Sequence, residues 1–271
     1  MISVRPLFIL KGGIYKERLT IRRPFLTFEG EDPQETVITY NLGARMEMED
    51  GTKRGTFRTY SVFIDTHDFT ARNLTFENSA GPGAVVGQAL ALYVDGDRIL
   101  FDNCRMLASQ DTIFTGPLPP KEIEKNGFIG PKQYAPRING RHYYKDCFIR
   151  GDIDFIFGSA TAYFENCELY SQDTGREING YVTAASTPEG QEYGYVFEAA
   201  ILRETVRQEA YIWAAHGEIS PGLCCCTAAW RSTSAEKAGM TGARERLTTP
   251  CILQRQAAQA PELYRRNVRS G

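Results

Sequence analysis

Short runs of β-branched and aromatic residues, separated by polar and glycine-containing stretches, dominate residues 1–200. The clearest runs read SVFIDT, ALALYV, RILF, TIFTG, HYYKDC, DFIFG and AYFENC. Such runs are typical of β-strands, and segments with a helix-forming composition are scarce in this part of the chain. The pattern therefore predicts an all-β fold built from many short strands.

One local pattern recurs along these strands. Each copy has an aromatic residue, a charged residue, an asparagine or aspartate, and then a small residue. The copies read FENS at Phe76–Ser79, FDNC at Phe101–Cys104, YKDC at Tyr144–Cys147 and FENC at Phe164–Cys167, with VFEAA at Val196–Ala200 as a divergent copy. Asparagine and aspartate tolerate the left-handed backbone conformation, so they suit a corner between two strands.

The copies are spaced like the turns of a solenoid. The step is 25 residues from Ser79 to Cys104 and 20 residues from Cys147 to Cys167. The 43-residue step between Cys104 and Cys147 shortens to 22 when the 21-residue stretch 116–136, rich in proline, glycine and lysine, is treated as an inserted loop. Short β-rich repeats at this period, without the Leu-x-x-Leu-x-Leu signature of leucine-rich repeats, predict a parallel β-helix.

Composition and charge narrow the function classes. The chain has 271 residues, a formal net charge of −2 and a pI near 6.0, which gives no indication of a nucleic-acid binder. It contains no apolar run of about 18 residues, so no transmembrane helix is predicted. The start, MISVRPLFILKGG, lacks a small-residue cleavage site and predicts a strand rather than a signal peptide. The three histidines, His67, His142 and His216, form no metal-ligand pattern, so the sequence implies neither a metal nor a cofactor.

The cysteines leave two interpretations open. There are seven, and Cys104, Cys147 and Cys167 sit in similar contexts. Cys147 and Cys167 either form a disulfide between adjacent turns or are small apolar core residues.

Two aspartates occupy the same phase of the repeat. Asp111, in SQDTIF, lies seven residues after Cys104, and Asp154, in GDIDFIFG, lies seven residues after Cys147. Because neighbouring strands lie about 4.8 Å apart, stacked coils predict a close pair of carboxylates. Two close carboxylates do not ionise independently, which yields one acid and one base. The inserted loop lies between them in sequence, so we expect it to project beside them.

Two glutamines accompany the aspartates. Gln110 precedes Asp111, and Gln88 lies in the run GQALAL. Their amides could hold a developing oxyanion while one aspartate attacks an acyl carbon and the other protonates the leaving alcohol. The residues alone also allow plainer interpretations: an aspartate at a corner, a hydrogen-bonded glutamine ladder, or a buried strand. Two carboxylates would equally serve a glycosidase.

The runs GGIYKE, GQALAL, SQDTIF and GDIDFIFG resemble successive motifs of the pectin methylesterases, carbohydrate esterase family 8. Their order and approximate spacing match over residues 1 to about 200, and FRTYSVFIDTHDFTARNLTFENSAG resembles the stretch before GQALAL. The resemblance implies a right-handed parallel β-helix. It also implies hydrolysis of the C6 methyl ester of galacturonate in pectin, with release of methanol.

The resemblance also assigns roles. Asp154 resembles the nucleophile and Asp111 the general acid/base, while Gln88 and Gln110 resemble the amides that stabilise the oxyanion. Phe155 resembles an aromatic residue of the sugar-binding cleft. The expected partner is pectin (methylated homogalacturonan), with no nucleic acid or membrane, and the expected species is a monomer in a secreted or periplasmic location.

The chain departs from the family at a later motif, Leu-Gly-Arg-Pro-Trp. From Tyr211 it reads YIWAAHGEISPGLCCC, which shows neither that motif nor a strand pattern. In the family the motif's arginine keeps the nucleophilic carboxylate ionised and its tryptophan lines the sugar site. We therefore expect the pKa of Asp154 to rise and the activity to fall below that of a relative with the motif.

A change of reading frame would explain this departure. An allowed back-translation of the stretch from Tyr211 to Leu223, read from its third nucleotide, encodes Tyr-Leu-Gly-Arg-Pro-Trp-Arg-Asp-Phe-Ala-Arg-Val. We hypothesise a frameshift near Ala199, which predicts a β-helical esterase domain over 1–200 and an atypical, poorly ordered tail over 201–271. The start also lacks the strand and helix that cap the family fold, so we expect a truncated first coil. Nucleotides downstream of the Phe197 codon that encode the motif in no frame would refute the frameshift.

Other functions on the same scaffold stay open at this level. A β-helix without catalysis could bind acidic polysaccharide through the same cleft. A glycosidase or a lyase is the other alternative, although a lyase needs clustered acids for Ca²⁺ and a basic residue, and the sequence shows no such cluster.

Overall fold

The computed structural model describes residues 5–122, 124–176, 179–204, 211–214 and 224–232. The strands are β1 (Leu7–Leu10), β2 (Gly13–Lys16), β3 (Leu19–Ile21), β4 (Thr27–Gly30), β5 (Thr36–Tyr40), β6 (Val62–Ile64), β7 (His67–Arg72), β8 (Thr75–Asn78), β9 (Leu92–Val94), β10 (Asp97–Asp102), β11 (Arg105–Leu107), β12 (Ile113–Thr115), β13 (Arg141–Lys145), β14 (Phe148–Gly151), β15 (Ile153–Gly158), β16 (Thr161–Glu165), β17 (Glu168–Ser171), β18 (Gly180–Ala185), β19 (Tyr195–Glu204), β20 (Tyr211–Ala214) and β21 (Cys224–Ser232). The helical segments are a 3-10 turn (Thr56–Arg58) and α1 (Gly83–Val86). Among the described residues, no helix is long and apolar enough to cross a membrane.

Every third strand pairs in parallel with its equivalent in the next coil. The first sheet runs β1-β4-β7-β10-β13-β16-β19, the second β2-β5-β8-β11-β14-β17-β19, and the third β3-β6-β9-β12-β15-β18-β20. Strand β19 contributes to the first two sheets because the chain bends within it at Ala199, where φ is 53°. Three strands per coil with parallel stacking confirm the predicted parallel β-helix.

The corner between the first and second sheets is built as the repeat predicts. Residues with left-handed φ of 50–53° occupy it in successive coils: Asn73, Asn103, Asp146, Asn166 and Ala199. Their side chains form short ladders, because the Asn103 amide donates to Asn73 Oδ1 at 2.8 Å and the Asn166 amide donates to Asp146 Oδ1 at 2.5 Å. Asparagine and aspartate are favoured here because they adopt positive φ with less strain than other residues, although Ala199 occupies the position in the last of these coils.

The prediction that FENS is a copy of the corner repeat is wrong. The coil before FDNC contributes Ala71–Leu74, since Phe101 pairs with Ala71 and Asp102 with Arg72. The first three residues of FENS, Phe76–Asn78, instead lie on β8, where Phe76 pairs with Met106 of the second sheet. The sequence search followed the aromatic residue, whereas the corner is decided by the residue that adopts left-handed φ.

A column of aromatic rings fills the interior behind this corner. Phe101, Tyr144, Phe164 and Phe197 are each fully buried, and successive ring centroids lie 5.0, 4.6 and 4.6 Å apart with interplanar angles of 8° to 11°. Identical register in each coil places these rings face to face, so the column links neighbouring coils.

The cysteines of the repeat belong to this core. Cys104, Cys147 and Cys167 are buried and free. The Cys147 thiol lies 3.3 Å from the Lys145 carbonyl oxygen, and the Cys167 thiol lies 3.4 Å from that of Tyr144. Of the two interpretations left open by the sequence, the structure favours small apolar core residues.

The inserted loop packs on the outer face of the third sheet. Leu118 and Phe128 are buried there, and the Phe128 ring lies 6.0 Å from Phe57, which itself lies 4.9 Å from Phe114 of β12. Lys132 Nζ lies 2.7 Å from Asp65 Oδ1. Apolar and ionic contacts therefore hold the loop against the sheet that contains Asp154.

The coils continue beyond residue 200. Strand β20 pairs with β18, and β21 pairs with β19. Two strands thus occur from Tyr211 onward, although the sequence there shows no strand pattern. The rest of the predicted tail, apart from these two strands, lies outside the described residues.

Removing one ring from the aromatic column should destabilise the fold strongly. We expect Phe164→Ala to lower the free energy of unfolding by about 3–5 kcal/mol, because it deletes a fully buried ring and leaves a cavity between Tyr144 and Phe197. Tyr134→Ala, at a side chain that is 92% exposed, is the control and should change it by less than about 0.5 kcal/mol. Urea denaturation measures both, and equal small effects would contradict the column's structural role.

Candidate active site

Asp111 and Asp154 occupy equivalent positions in adjacent coils. Ile113 of β12 pairs with Ile156 of β15, which places the residues two positions earlier side by side. The Asp111 amide donates to the Ile153 carbonyl at 3.0 Å, so the two segments are hydrogen-bonded next to the carboxylates. Each aspartate has left-handed φ, 63° for Asp111 and 49° for Asp154.

The left-handed turn at Asp154 changes which side chains face inward. The pairing register between β15 and β18 shifts between Ile153 and Ile156, so the alternation of inward and outward side chains is interrupted there. As a result, Phe155 and Ile156 both enter the main core, while Phe157 packs with the aromatic residues outside the third sheet. Asp154 itself remains partly exposed.

The two carboxyl groups have different electrostatic environments. Burial, and then the charges of Asp154 and Asp152, raise the pKa of Asp111 well above its ordinary value, while a hydrogen bond from Gln110 opposes this shift. Burial raises the pKa of Asp154 to about 6. The direction for Asp154 is the one expected for a carboxylate without a cationic partner.

One oxygen of Asp154 has no hydrogen-bond donor in the part of the chain that the structure describes. Its Oδ1 is buried, and no group among the described residues donates a hydrogen bond to it. A buried carboxylate oxygen without a donor is costly in the ionised state. Within the described part of the chain, this oxygen of the Asp154 carboxylate is therefore not satisfied by its surroundings.

The two glutamines lie on consecutive coils beside this pair. The Ala89 amide, next to Gln88, donates to the Gln110 carbonyl at 3.0 Å. The Gln110 side chain packs against Gly83 of α1, where an added Cβ would lie 3.0 Å from the Gln110 Oε1. Helix α1 thus limits where the Gln110 amide can point. Gln88 is partly buried.

Phe155 does not fit its predicted role. Its side chain has no exposed surface and belongs to the main core. A ring without exposed surface cannot stack on a sugar, so the structure does not support a contact between Phe155 and substrate. Phe157, which is partly exposed, occupies the outward position in the same strand. A strict alternation of inward and outward side chains would not have revealed these orientations, because the turn at Asp154 interrupts the alternation.

Asp152 is a third acidic group that the sequence analysis missed. It is buried, and burial raises the pKa of its carboxyl group. Its Oδ1 accepts a hydrogen bond from the Ile153 amide at 2.6 Å. The only sequence signal was its position two residues before Asp154 in GDIDFIFG.

The family model for pectinesterases matches residues 3–117 and 134–215. The chain belongs to the pectinesterase family. The unmatched stretch 118–133 falls within the inserted loop, and the match extends past residue 200 to the end of β20.

Individual relatives agree with this membership. Pectinesterase 31 of Arabidopsis thaliana is 36% identical over 207 residues, covering 74% of this chain and 56% of the relative. Pectinesterase QRT1 of Arabidopsis thaliana is 32% identical over 197 residues, covering 70% of this chain and 45% of the relative. The chain thus spans about half the length of these curated relatives.

Solved structures show the same fold. Pectin methylesterase from Yersinia enterocolitica superposes with a TM-score of 0.67 at 28% identity, covering 81% of this chain and 69% of that one. A pectin methylesterase in complex with a hexasaccharide gives a TM-score of 0.65 at 30% identity, with coverage of 81% and 65%. Both the family and the fold predicted from the sequence motifs are therefore confirmed.

The raised pKa of Asp154 predicts a pH-dependent stability. The folded-state pKa of about 6 lies above the ordinary value of about 3.9, so the folded protein binds more protons between these values. The free energy of unfolding should therefore fall as pH rises from about 4 to about 7. Asp154→Asn should reduce that fall, by on the order of 2–3 kcal/mol. Urea denaturation at pH 4, 5, 6 and 7 measures the change.

The exposed Glu189 provides a matched control, because Glu189→Gln makes the same chemical change outside the site. This variant should not change the dependence of the free energy of unfolding on pH. If Asp154→Asn shows the same pH dependence as the unsubstituted chain, Asp154 is not the buried acid that causes the fall in stability.

Proposed function

We propose that this chain hydrolyses methyl esters of galacturonate in pectin and releases methanol. The observation that carries the proposal is the placement of Asp111 and Asp154 at equivalent positions of adjacent coils in a pectinesterase-family β-helix. The hexasaccharide bound by a structural relative supports an oligosaccharide-sized substrate for the fold. The expected secreted or periplasmic location and monomeric state stay predictions.

In the proposed first step, the ionised carboxylate of Asp154 attacks the ester carbonyl carbon. The raised pKa of Asp111 means that its carboxyl group retains a proton at a pH where an ordinary aspartate is ionised. It can then donate that proton to the departing methoxide, so methanol leaves and an acyl group remains on Asp154.

In the second step, the Asp111 carboxylate takes a proton from water as the water oxygen attacks the acyl carbon. The bond to Asp154 breaks, which frees the galacturonate carboxylic acid and restores both aspartates. The side-chain amides of Gln88 and Gln110 would donate hydrogen bonds to the negatively charged oxygen that develops in each step.

A non-catalytic β-helix that binds acidic polysaccharide is the second candidate. It is favoured by the buried Asp154 Oδ1, which lacks a donor among the described residues. A nucleophile that is not held by a donor is less well positioned for attack, because catalysis depends on preorganised geometry. A glycosidase would cleave the sugar chain itself, so product analysis separates that alternative from ester hydrolysis.

Substitution of either aspartate separates these candidates. If the chain is an esterase, Asp154→Ala should reduce methanol release from methylated pectin by at least about a thousandfold, because no nucleophile remains. Asp111→Asn should reduce it by about a hundred- to ten-thousandfold through loss of proton transfer. Pectin binding should survive both changes, and Glu189→Gln should retain full activity.

Methanol release that persists in Asp154→Ala would exclude the proposed nucleophile. If the unsubstituted chain binds pectin but releases no methanol, the esterase proposal fails and the non-catalytic candidate stands.

A further inference from the structure

Most arginines on the described strands are neutralised by an acidic partner. Four have a carboxylate within 4.0 Å: Arg72 with Asp102, Arg98 with Asp68, Arg141 with Asp97 and Arg203 with Glu168. Of the strand arginines whose side chains are described, the other two, Arg105 and Arg150, have no such ion pair with a described residue. Their shared lack of a partner sets them apart.

The two unpaired arginines lie together on the outer face of the second sheet. Arg105 pairs in register with Phe148 of the next strand, and Leu107 pairs with Arg150, which pairs in turn with Tyr170. The intervening residues of these strands enter the core, so the arginines and the two rings face outward. The Arg105 guanidinium carbon lies 5.2 Å from the Phe148 ring centroid, and the Phe148 and Tyr170 rings are 5.9 Å apart.

Arg150 is held in an unfavourable environment. Its Nε is buried and makes no hydrogen bond among the described residues. Burial lowers the pKa of its guanidinium group, and the positive charge of Arg105 adds to that effect, while Glu77 opposes it. The Glu77 carboxylate, however, accepts a hydrogen bond from the Thr39 hydroxyl at 2.8 Å rather than pairing with Arg150. A desolvated guanidinium beside a like charge is stabilised by an anion.

We propose that Arg105 and Arg150, flanked by Phe148 and Tyr170, form a binding site for the carboxylate of a uronate sugar. Arginine is suited to this ligand because its planar guanidinium matches both oxygens of a carboxylate. The neighbouring rings offer apolar surface to the sugar. A free inorganic anion would use the guanidinium groups but gain nothing from the rings.

The position of this site connects it to the proposed reaction, on which the identity of the ligand rests. Arg150 lies four residues before Asp154, which is at most about 13 Å along an extended strand. A polysaccharide chain with one methyl ester at Asp154 can therefore present a neighbouring, de-esterified galacturonate to the arginines. The inference is that the chain recognises pectin in which free carboxylates already flank the remaining esters.

Binding measurements without turnover test this inference. The probes are a galacturonate hexamer without methyl esters and the fully methyl-esterified hexamer, the latter measured in Asp154→Ala to prevent hydrolysis. Calorimetry on the full chain should show tighter binding of the acidic hexamer, weakened by added salt. Introduced into the Asp154→Ala chain, Arg105→Gln combined with Arg150→Gln should weaken binding of the acidic hexamer by about tenfold or more and leave binding of the esterified hexamer nearly unchanged.

Arg72→Gln is the matched control, because it removes a strand arginine of the first sheet that already has a partner. It should not alter the affinity for either hexamer. If the double variant fails to fold, as judged by urea denaturation, Arg105→Gln alone applies the same test, since Arg105 is partly exposed.

Unchanged affinity for the acidic hexamer in the folded variant would overturn the inference. So would an equal loss for both hexamers, or an unsubstituted chain that binds no acidic hexamer. Because the acidic hexamer carries no ester, its binding is independent of catalysis. A chain that releases no methanol but shows the predicted discrimination would refute the esterase proposal and leave the uronate site intact.

Discussion

Parallel hydrogen bonding between successive coils is the constraint on which the rest of this structure depends. It fixes the register so that equivalent residues stand one above another, about 4.8 Å apart. This register stacks four aromatic rings in one column, those of Phe101, Tyr144, Phe164 and Phe197. It also places Asp111 beside the Asp154 segment. Core packing and the carboxylate pair are therefore two results of one register.

Departures from regular strand geometry recur at the corner between the first and second sheets and at Asp111 and Asp154. At the corner between the first and second sheets, asparagine and aspartate take left-handed φ. Their side chains form hydrogen bonds between successive coils, which compensate the backbone strain there. Asp111 and Asp154 take the same conformation, but Asp154 Oδ1 has no donor among the described residues. The same local geometry is thus satisfied by side-chain hydrogen bonds at one corner of the coil, whereas it accompanies a buried, unsatisfied oxygen at Asp154.

Ion pairing, rather than total charge, distinguishes the strand arginines from one another. The formal net charge is −2, and most strand arginines are matched by acids. Among the strand arginines whose side chains are described, the exceptions are Arg105 and Arg150, which lie on the sheet whose strands lead into the Asp111 and Asp154 segments. Because a β-helix repeats the same outward positions in each coil, a break in the pairing pattern is readily recognised.

The sequence by itself determined the architecture and the pair of aspartates. A short repeat with a corner asparagine or aspartate is a local signal, and equal offsets of Asp111 and Asp154 from Cys104 and Cys147 carry the phase through the chain. The motifs also identified the family. What the sequence could not supply was the detailed pairing and orientation of side chains between coils.

Only the tertiary structure decided which segment forms the first copy of the corner repeat, how Phe155 is oriented, and that Arg105 and Arg150 form no ion pair with a described residue. FENS looked like a copy because its residue types matched, yet interstrand pairing assigns that place to Ala71–Leu74. Phe155 turns inward because left-handed φ at Asp154 breaks the strand alternation, and no residue type signals that break. Whether an arginine has a partner depends on side chains one coil away, which lie 20 or more residues distant in sequence and meet only when the coils stack.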